Sequence, residues 1–127
     1  MEARGKIEAI KEPKVLSAST LRGNKVTNTK GEDLGEVEAI MIDLARGRVA
    51  YVVLSFGRAH WMPNNKLFAI PWDVLSVSFH DKKFILDVSE ETLKMALGFD
   101  RNNWPDLGDF EWLAKVYRSY GRDPYWE

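Results

Sequence analysis

The sequence predicts a mainly all-β fold, a small barrel of five or six strands followed by a short helical, aromatic C-terminal extension. From Ser17 onward, short apolar runs alternate with turn residues, a spacing typical of a small barrel or sandwich. The last 29 residues hold eight of the 15 aromatic residues, too many for a free tail. We therefore expect a flexible N-terminal arm over 1–16, a barrel over 17–90, and an extension over 91–127 packed on the barrel.

The first two strands are expected over residues 25–28 and 35–43. In the second, apolar and polar residues alternate until the phase changes, so that Ile40 and Ile42 share the other face. Such a phase change is typical of a β-bulge, which a small barrel needs in order to close. A tight turn at Gly47 follows, because glycine adopts positive φ without steric cost.

The third strand, residues 49–56, is apolar on both of its faces. A strand of a two-layer barrel should have one face in water. The pattern therefore predicts that something covers its outer face, either the C-terminal segment or another subunit.

The rest of the chain predicts three further strands and two helices. The strands are expected over 67–70, 74–79 and 84–88. Ser89 is a plausible N-cap of a short helix that ends at Gly98. A second helix begins near Asp109, follows a 3.6-residue apolar period, and ends at Gly121.

Composition narrows the classes of function. There are 18 basic and 19 acidic residues, so the net charge is -1, and the basic residues are scattered among acids. Nucleic-acid binding normally needs a basic face, so no nucleic-acid partner is expected. The sequence has no cysteine, which excludes disulfides and zinc–thiolate sites. No apolar run approaches the length of a membrane span and residues 1–14 resemble no signal peptide, so we expect a cytoplasmic protein.

The histidines do not predict a metal site. His60 and His80 are the only two, and they lie in different predicted loops. A transition-metal site usually has three or four protein ligands. We therefore interpret both as solvated loop residues, and we expect no metal and no cofactor.

Two readings exist for the acidic residues around the second strand. Asp43 is either a buried carboxylate that handles protons or, as we favour, a strand-end residue that accepts backbone N–H groups of the following turn. Four acids, Glu32, Asp33, Glu36 and Glu38, could form a cation site. Alternation along a strand places Glu36 and Glu38 on a solvated face, which explains them more simply.

No catalytic motif is present. Ser55, Ser76 and Ser78 have no G-x-S-x-G context and no nearby His–Asp pairing. Gly31 and Gly35 belong to no phosphate-binding pattern, and Gly31, Gly47 and Gly57 are interpreted as turn glycines. We therefore expect that the protein is not an enzyme.

The chain from residue 21 to 104 resembles the PRC-barrel family. Three blocks carry the resemblance, in order and at family spacing: 31–37 (GEDLGEV), 47–57 (GRVAYVVLSFG) and 66–72 (KLFAIPW). The family includes the barrel of the photosynthetic reaction centre H subunit and the C-terminal barrel of the bacterial ribosome maturation factor.

Shorter motifs are similar to those of the free-standing bacterial members. These are 97–100 (LGFD), 103–105 (NWP) and 124–126 (PYW). The sequence departs from the family pattern in the loop 58–65, which is larger and more polar than the usual glycine-rich loop, and at Leu97, where relatives tend to have proline.

The resemblance implies an adaptor. In the H subunit the barrel caps a membrane complex and lines a proton path, and in the ribosome factor it binds a ribosomal protein. We therefore expect a non-enzymatic protein-interaction module that self-associates, as a homodimer, and binds a protein partner not yet identified. The alternative is an accessory domain peripherally associated with a membrane electron-transfer or quinone-site complex.

Five residues are candidates for partner binding. Trp61 and Met62 stand in an otherwise polar loop, and exposed Trp and Met are typical interface anchors, although Trp61 could also fold back on the barrel mouth. Tyr51 belongs to the doubly apolar strand. Trp104 and Trp126 lie in the aromatic extension, where internal packing is the favoured alternative.

Overall fold

The computed structural model describes residues 15–56, 66–78, 80–96, 98–106 and 108–127. Most of the expected N-terminal arm, residues 1–14, lies outside these ranges. The described residues form seven strands: β1 Lys25–Thr27, β2 Asp33–Asp43, β3 Arg48–Ser55, β4 Lys66–Ile70, β5 Leu75–Ser78, β6 Lys83–Leu86 and β7 Gly98–Asp100. They also form three α-helices, α1 Ala18–Leu21, α2 Glu90–Lys94 and α3 Phe110–Ser119, and the short 3-10 helix Trp72–Val74.

The seven strands form one sheet in the order β5-β6-β1-β2-β3-β4-β7. Neighbouring strands are antiparallel, except that β1 and β6 are parallel. In a flat sheet β4 and β5 would be five strand spacings apart, about 24 Å. The chain joins Ile70 to Leu75 directly, and five residue steps reach at most about 18 Å. The sheet must therefore roll toward a barrel.

The mainly β fold with a helical, aromatic C-terminal segment is confirmed. The sheet has a seventh strand, however, where we expected the end of a helix. Helix α2 stops at Lys94, and Gly98 instead begins β7, where it pairs with Phe68. A Cβ atom at Gly98 would lie 2.8 Å from Cε2 of Phe68, so this residue permits the two strands to approach. Three residues are too few for a recognisable alternation.

The phase change in β2 marks irregular pairing, as predicted. Its register against β3 shifts between Val37 and Ala39 and again between Met41 and Ile42. Near the start of β2, Gly35 lies so close to β3 that a Cβ atom would be 1.8 Å from the carbonyl oxygen of Ser55. The two shifts bend the longest strand of the sheet, which supports its curvature.

The second register shift leaves Ala50 of β3 without a partner in β2, and the C-terminal helix α3 supplies a hydrogen bond to its carbonyl oxygen. Met41 pairs with Tyr51 and Ile42 with Val49, so Ala50 has no partner in β2. The hydroxyl of Tyr117 in α3 donates a 2.7 Å hydrogen bond to the carbonyl oxygen of Ala50. Both residues are buried. The ring centre of Trp112 in α3 also lies 5.7 Å from that of Tyr51 in β3. Helix α3 thus covers the face of β3 that bears Tyr51, one of the two arrangements that the doubly apolar pattern predicted.

The predicted N-cap Ser89 and the predicted start of the second helix near Asp109 are confirmed. Ser89 accepts a hydrogen bond from the backbone N–H of Thr92, and Asp109 accepts one from that of Trp112. Helix α3 ends at Ser119, and Gly121, two residues further on, has φ +73°. Ser and Asp side chains disfavour a helix interior because they compete for backbone hydrogen bonds. At the start of a helix the same side chains accept hydrogen bonds from the unpaired backbone N–H groups.

Candidate functional site

Asp43 organises the turn between β2 and β3. Its Oδ1 accepts the backbone N–H of Arg46 at 3.0 Å, and its Oδ2 accepts Nη1 of the same arginine at 3.2 Å. The backbone N–H of Gly47 donates to the Asp43 carbonyl at 2.8 Å, and Gly47 has φ +66°. Asp43 therefore has the turn-satisfying role that we favoured from the sequence.

The C-terminal residues of the chain bind this turn. We call residues 124–127 the C-terminal strap. The hydroxyl of Tyr125 donates a 2.6 Å hydrogen bond to Oδ2 of Asp43, and the guanidinium of Arg48 lies 3.9 Å from the centre of the Tyr125 ring. Arg118 and Glu127 form an exposed ion pair at 2.7 Å. The strap thereby joins α3 to the β2–β3 turn.

The hydrogen bond from Tyr125 is the main reason that the pKa of Asp43 lies below its ordinary value of 3.8. Burial opposes this effect, and hydrogen bonds from Arg46 add to it. Burial, followed by the bond to Asp43, raises the pKa of Tyr125. Asp43 is therefore ionised and Tyr125 neutral at pH 7. The lowered pKa makes Asp43 a structural acceptor and argues against a proton-handling role.

A cleft of about 270 Å³ lies between the end of the β2–β3 hairpin and the start of α3. We call it the hairpin cleft. Its apolar lining includes Met41, Ile42, Leu44, Phe110, Trp112 and Leu113. Leu44 is 91% exposed and Ile42 is 49% exposed, because the adjacent Asp43 turns inward to the strap. Two large apolar side chains thus stand in solvent at the mouth of an apolar cleft.

Three aspartates also line the hairpin cleft: Asp43, which is engaged by Arg46 and Tyr125, and Asp106 and Asp109. Asp106 accepts the backbone N–H of Gly108 at 3.0 Å, and Asp109 accepts that of Trp112 at 3.0 Å. Neither forms an ion pair with any residue in the described ranges. The guanidinium of Arg46 lies 5.6 Å from the centre of the Phe110 ring, beside the cleft, and is paired with Asp43.

The family model of the PRC-barrel domain matches residues 13–93. The chain belongs to the PRC-barrel family. No curated protein matches it. The match includes β1 to β6 and all but the last residue of α2, whereas α3 and the strap follow it along the chain. The hairpin cleft therefore combines a hairpin of the PRC barrel with a helix that lies outside the family match.

The five candidate partner-binding residues have different environments in this PRC-barrel protein. Trp61 and Met62 lie outside the described residues. Tyr51 is 4% exposed, and its ring centre is 5.7 Å from that of Trp112 in the cleft lining. Trp126 is half-buried, with its ring centre 4.7 Å from that of Phe110.

Trp104 stands apart from the hairpin cleft. It is 37% exposed, its indole N–H donates to the Arg101 carbonyl at 3.0 Å, and its ring packs on Phe99 at 5.1 Å. Its other side lines a second groove, between Ile40 of β2 and Ala18 of α1. The structure thus brings Tyr51 and Trp126 close to the hairpin cleft but places Trp104 elsewhere.

Sequence reasoning missed Ile42 and Leu44 as surface residues. Ile42 looked like one face of an alternating strand. Leu44 had a usable signal, because it is the one large apolar residue of the short turn 44–47, as Trp61 is a large apolar residue of its loop.

The remaining chemical candidates do not assemble into a site. Within the described ranges, no three His, Cys, Asp or Glu side chains are close enough to hold a metal ion. His80 is exposed in a turn, and His60 lies outside the described residues. Glu38 of the suggested cation site is instead paired with Arg101 at 3.2 Å. In the part of the chain that is described, no helix is both long and apolar enough to cross a membrane.

The serine and glycine candidates have structural surroundings. Ser55 is buried in β3, and Ser78 donates a hydrogen bond to Asp81 at 3.2 Å. Ser76 is exposed on β5. Gly31 has φ +85°, which fits the turn role expected for it.

Proposed function

We propose that this PRC-barrel domain is a non-enzymatic protein-binding module whose docking surface is the hairpin cleft. The observation that carries the proposal is the 91% exposure of Leu44 at the mouth of an apolar cleft. Exposing an apolar side chain of this size forgoes about 1.5–3 kcal/mol of burial, which contact with a partner would recover.

The cleft is suited to one side-chain anchor of a protein partner. Its volume of about 270 Å³ lies just below the range of sites for drug-sized ligands, roughly 300–1,000 Å³. The hairpin is held by the bonds of Asp43 to Arg46 and Tyr125. A surface that is already ordered loses little conformational entropy on binding, which favours recognition.

The coverage of β3 by α3 limits the apolar surface that is left for self-association. The apolar outer face of β3 led us to expect a homodimer, but α3 of the same chain covers that face through Tyr117 and Trp112. A homodimer would therefore use another apolar surface, and we propose that this surface includes the exposed side chain of Leu44. In that case Leu44→Ser shifts the protein from dimer to monomer in sedimentation equilibrium.

The test compares substitutions of two apolar residues that are both highly exposed. Leu44→Ser removes the side chain at the cleft, and Met95→Ser removes one that is 81% exposed outside it. Both variants should unfold like the wild type, because exposed substitutions usually change stability by less than about 0.5 kcal/mol. Each serves as bait in crosslinked lysate of the source organism, with soluble and membrane fractions kept separate.

Partners retained by the Met95→Ser bait and lost by the Leu44→Ser bait support the proposal. Partners retained equally by both baits place the docking surface elsewhere, and a protein that neither self-associates nor retains any partner overturns the proposal. Specific partners found only in the membrane fraction would favour the alternative, an accessory domain of a membrane complex.

A further inference from the structure

We propose that the segment occupying the hairpin cleft is cationic, an apolar side chain flanked by lysine or arginine. This inference rests on the proposed function, because it names the chemistry of the partner at the same cleft. Its basis is the combination of apolar lining with carboxylates that have no cationic partner among the described residues.

The carboxylates at the cleft retain unused acceptor capacity. An ionised carboxylate offers about four lone-pair positions. Asp106 and Asp109 are both exposed, and each uses Oδ1 for one backbone N–H. The remaining positions suit the N–H groups of an ammonium or guanidinium. The positive end of α3 offsets part of the charge of Asp109, so Asp106 is the stronger attractor.

Arg46, the cation beside the cleft, does not neutralise it. Arg46 is engaged by Asp43 at 3.2 Å, and its guanidinium lies over the Phe110 ring. It shows, however, that an aromatic ring at this cleft accepts a guanidinium at 5.6 Å. Because Arg46 already covers Phe110, a partner cation at the carboxylates would use the other aromatic lining of the cleft, which includes Trp112.

The same charges select against anionic partners. A phosphate of a lipid headgroup or a nucleic acid would approach Asp106 and Asp109 with like charge, which is unfavourable. An apolar anchor next to a lysine or arginine satisfies both parts of the surface, since Leu44 covers the anchor and the carboxylates receive the cation. The partner chemistry that fits is thus a basic, amphipathic protein segment.

The test uses two fluorescein-labelled nonapeptides, one of alternating lysine and leucine and one of alternating glutamate and leucine. Anisotropy gives the dissociation constants at 50 and 300 mM salt, and NMR shifts of Leu44 and Trp112 locate the bound peptide. Asp106→Asn with Asp109→Asn removes two charges while the amide oxygens keep both backbone contacts. Asp81→Asn with Asp87→Asn removes the same charge at exposed positions around the β5–β6 hairpin.

We expect the lysine peptide to shift both resonances and to bind at least threefold more weakly to the cleft double variant than to the wild type. Exposed ion contacts are individually weak and screened by salt, so the higher salt concentration should weaken binding similarly. The control double variant should bind like the wild type. The glutamate peptide should not bind.

Equal binding of the glutamate peptide, an unchanged affinity of the cleft double variant, or no binding of either peptide overturns the inference. The bait comparison of Leu44→Ser and Met95→Ser separates this result from failure of the proposed function. Lysate partners that still depend on Leu44 keep the cleft as a docking surface for a segment without basic residues.

Discussion

The hydrogen bond between Tyr117 and Ala50 makes the strongest stability prediction. Tyr117 is fully buried, and its hydroxyl is 2.7 Å from a carbonyl oxygen whose residue has no partner in β2. Tyr117→Phe keeps the ring and removes only the donor. The carbonyl is then buried without a hydrogen bond, which costs about 1–3 kcal/mol of unfolding free energy.

This loss converts into a measurable change of melting temperature. At about 2.1 cal/mol/K per residue, a 127-residue chain has an unfolding entropy of about 0.27 kcal/mol/K near its melting point. Each kcal/mol therefore lowers the melting temperature by about 4 °C. We expect Tyr117→Phe to melt about 4–11 °C below the wild type in calorimetry at pH 7.

Tyr120→Phe is the matched control at the end of α3. Tyr120 is also buried, but its hydroxyl has no hydrogen-bond partner among the described residues. Removing a buried, unpaired hydroxyl should leave the melting temperature unchanged or raise it slightly. Equal losses for the two variants would refute the reasoning, because the effect would then come from the ring environment and not from the bond to Ala50.

Three further predictions concern backbone packing and pH. Gly35→Ala should destabilise the protein by more than about 2 kcal/mol in urea unfolding, because the new Cβ atom would overlap a β3 carbonyl. The control Gly31→Ala should cost only about 1 kcal/mol, from its positive φ, because its Cβ atom would meet no other atom within 4 Å. The pKa of Asp43 is lower in the folded state than the ordinary 3.8, so its contribution to stability is present above pH 4 and is lost as the pH falls through the folded value. The stability difference between wild type and Tyr125→Phe should therefore narrow from pH 7 to pH 3, and a constant difference would contradict this role. Burial raises the pKa of Tyr117 from 10 to about 12. Its contribution to the free energy of unfolding is therefore complete below pH 10 and is lost as the pH rises to 12. The stability of Tyr117→Phe should decline less than that of the wild type over this pH range.

Local sequence signals were sufficient for most of the secondary structure. The caps Ser89 and Asp109 and the turn glycine Gly47 each act through contacts within about four residues, so their positions can be read from the chain. The phase change near Ile40 predicted the irregular pairing of β2 because alternation is a property of the strand itself. β7 was not predicted because three residues carry no recognisable pattern, and they form a strand only by pairing with the edge of β4.

The sequence by itself determined that the apolar outer face of β3 must be covered, and that the C-terminal segment was a candidate to cover it. Only the tertiary structure decided that α3 of the same chain does so, with Tyr117 bonded to Ala50 across 67 residues. It also decided that Tyr125 reaches Asp43 across 82 residues, leaving Leu44 exposed beside an apolar cleft. Such contacts depend on strand register and on helix packing. Both are set by the whole fold, so no local pattern specifies them.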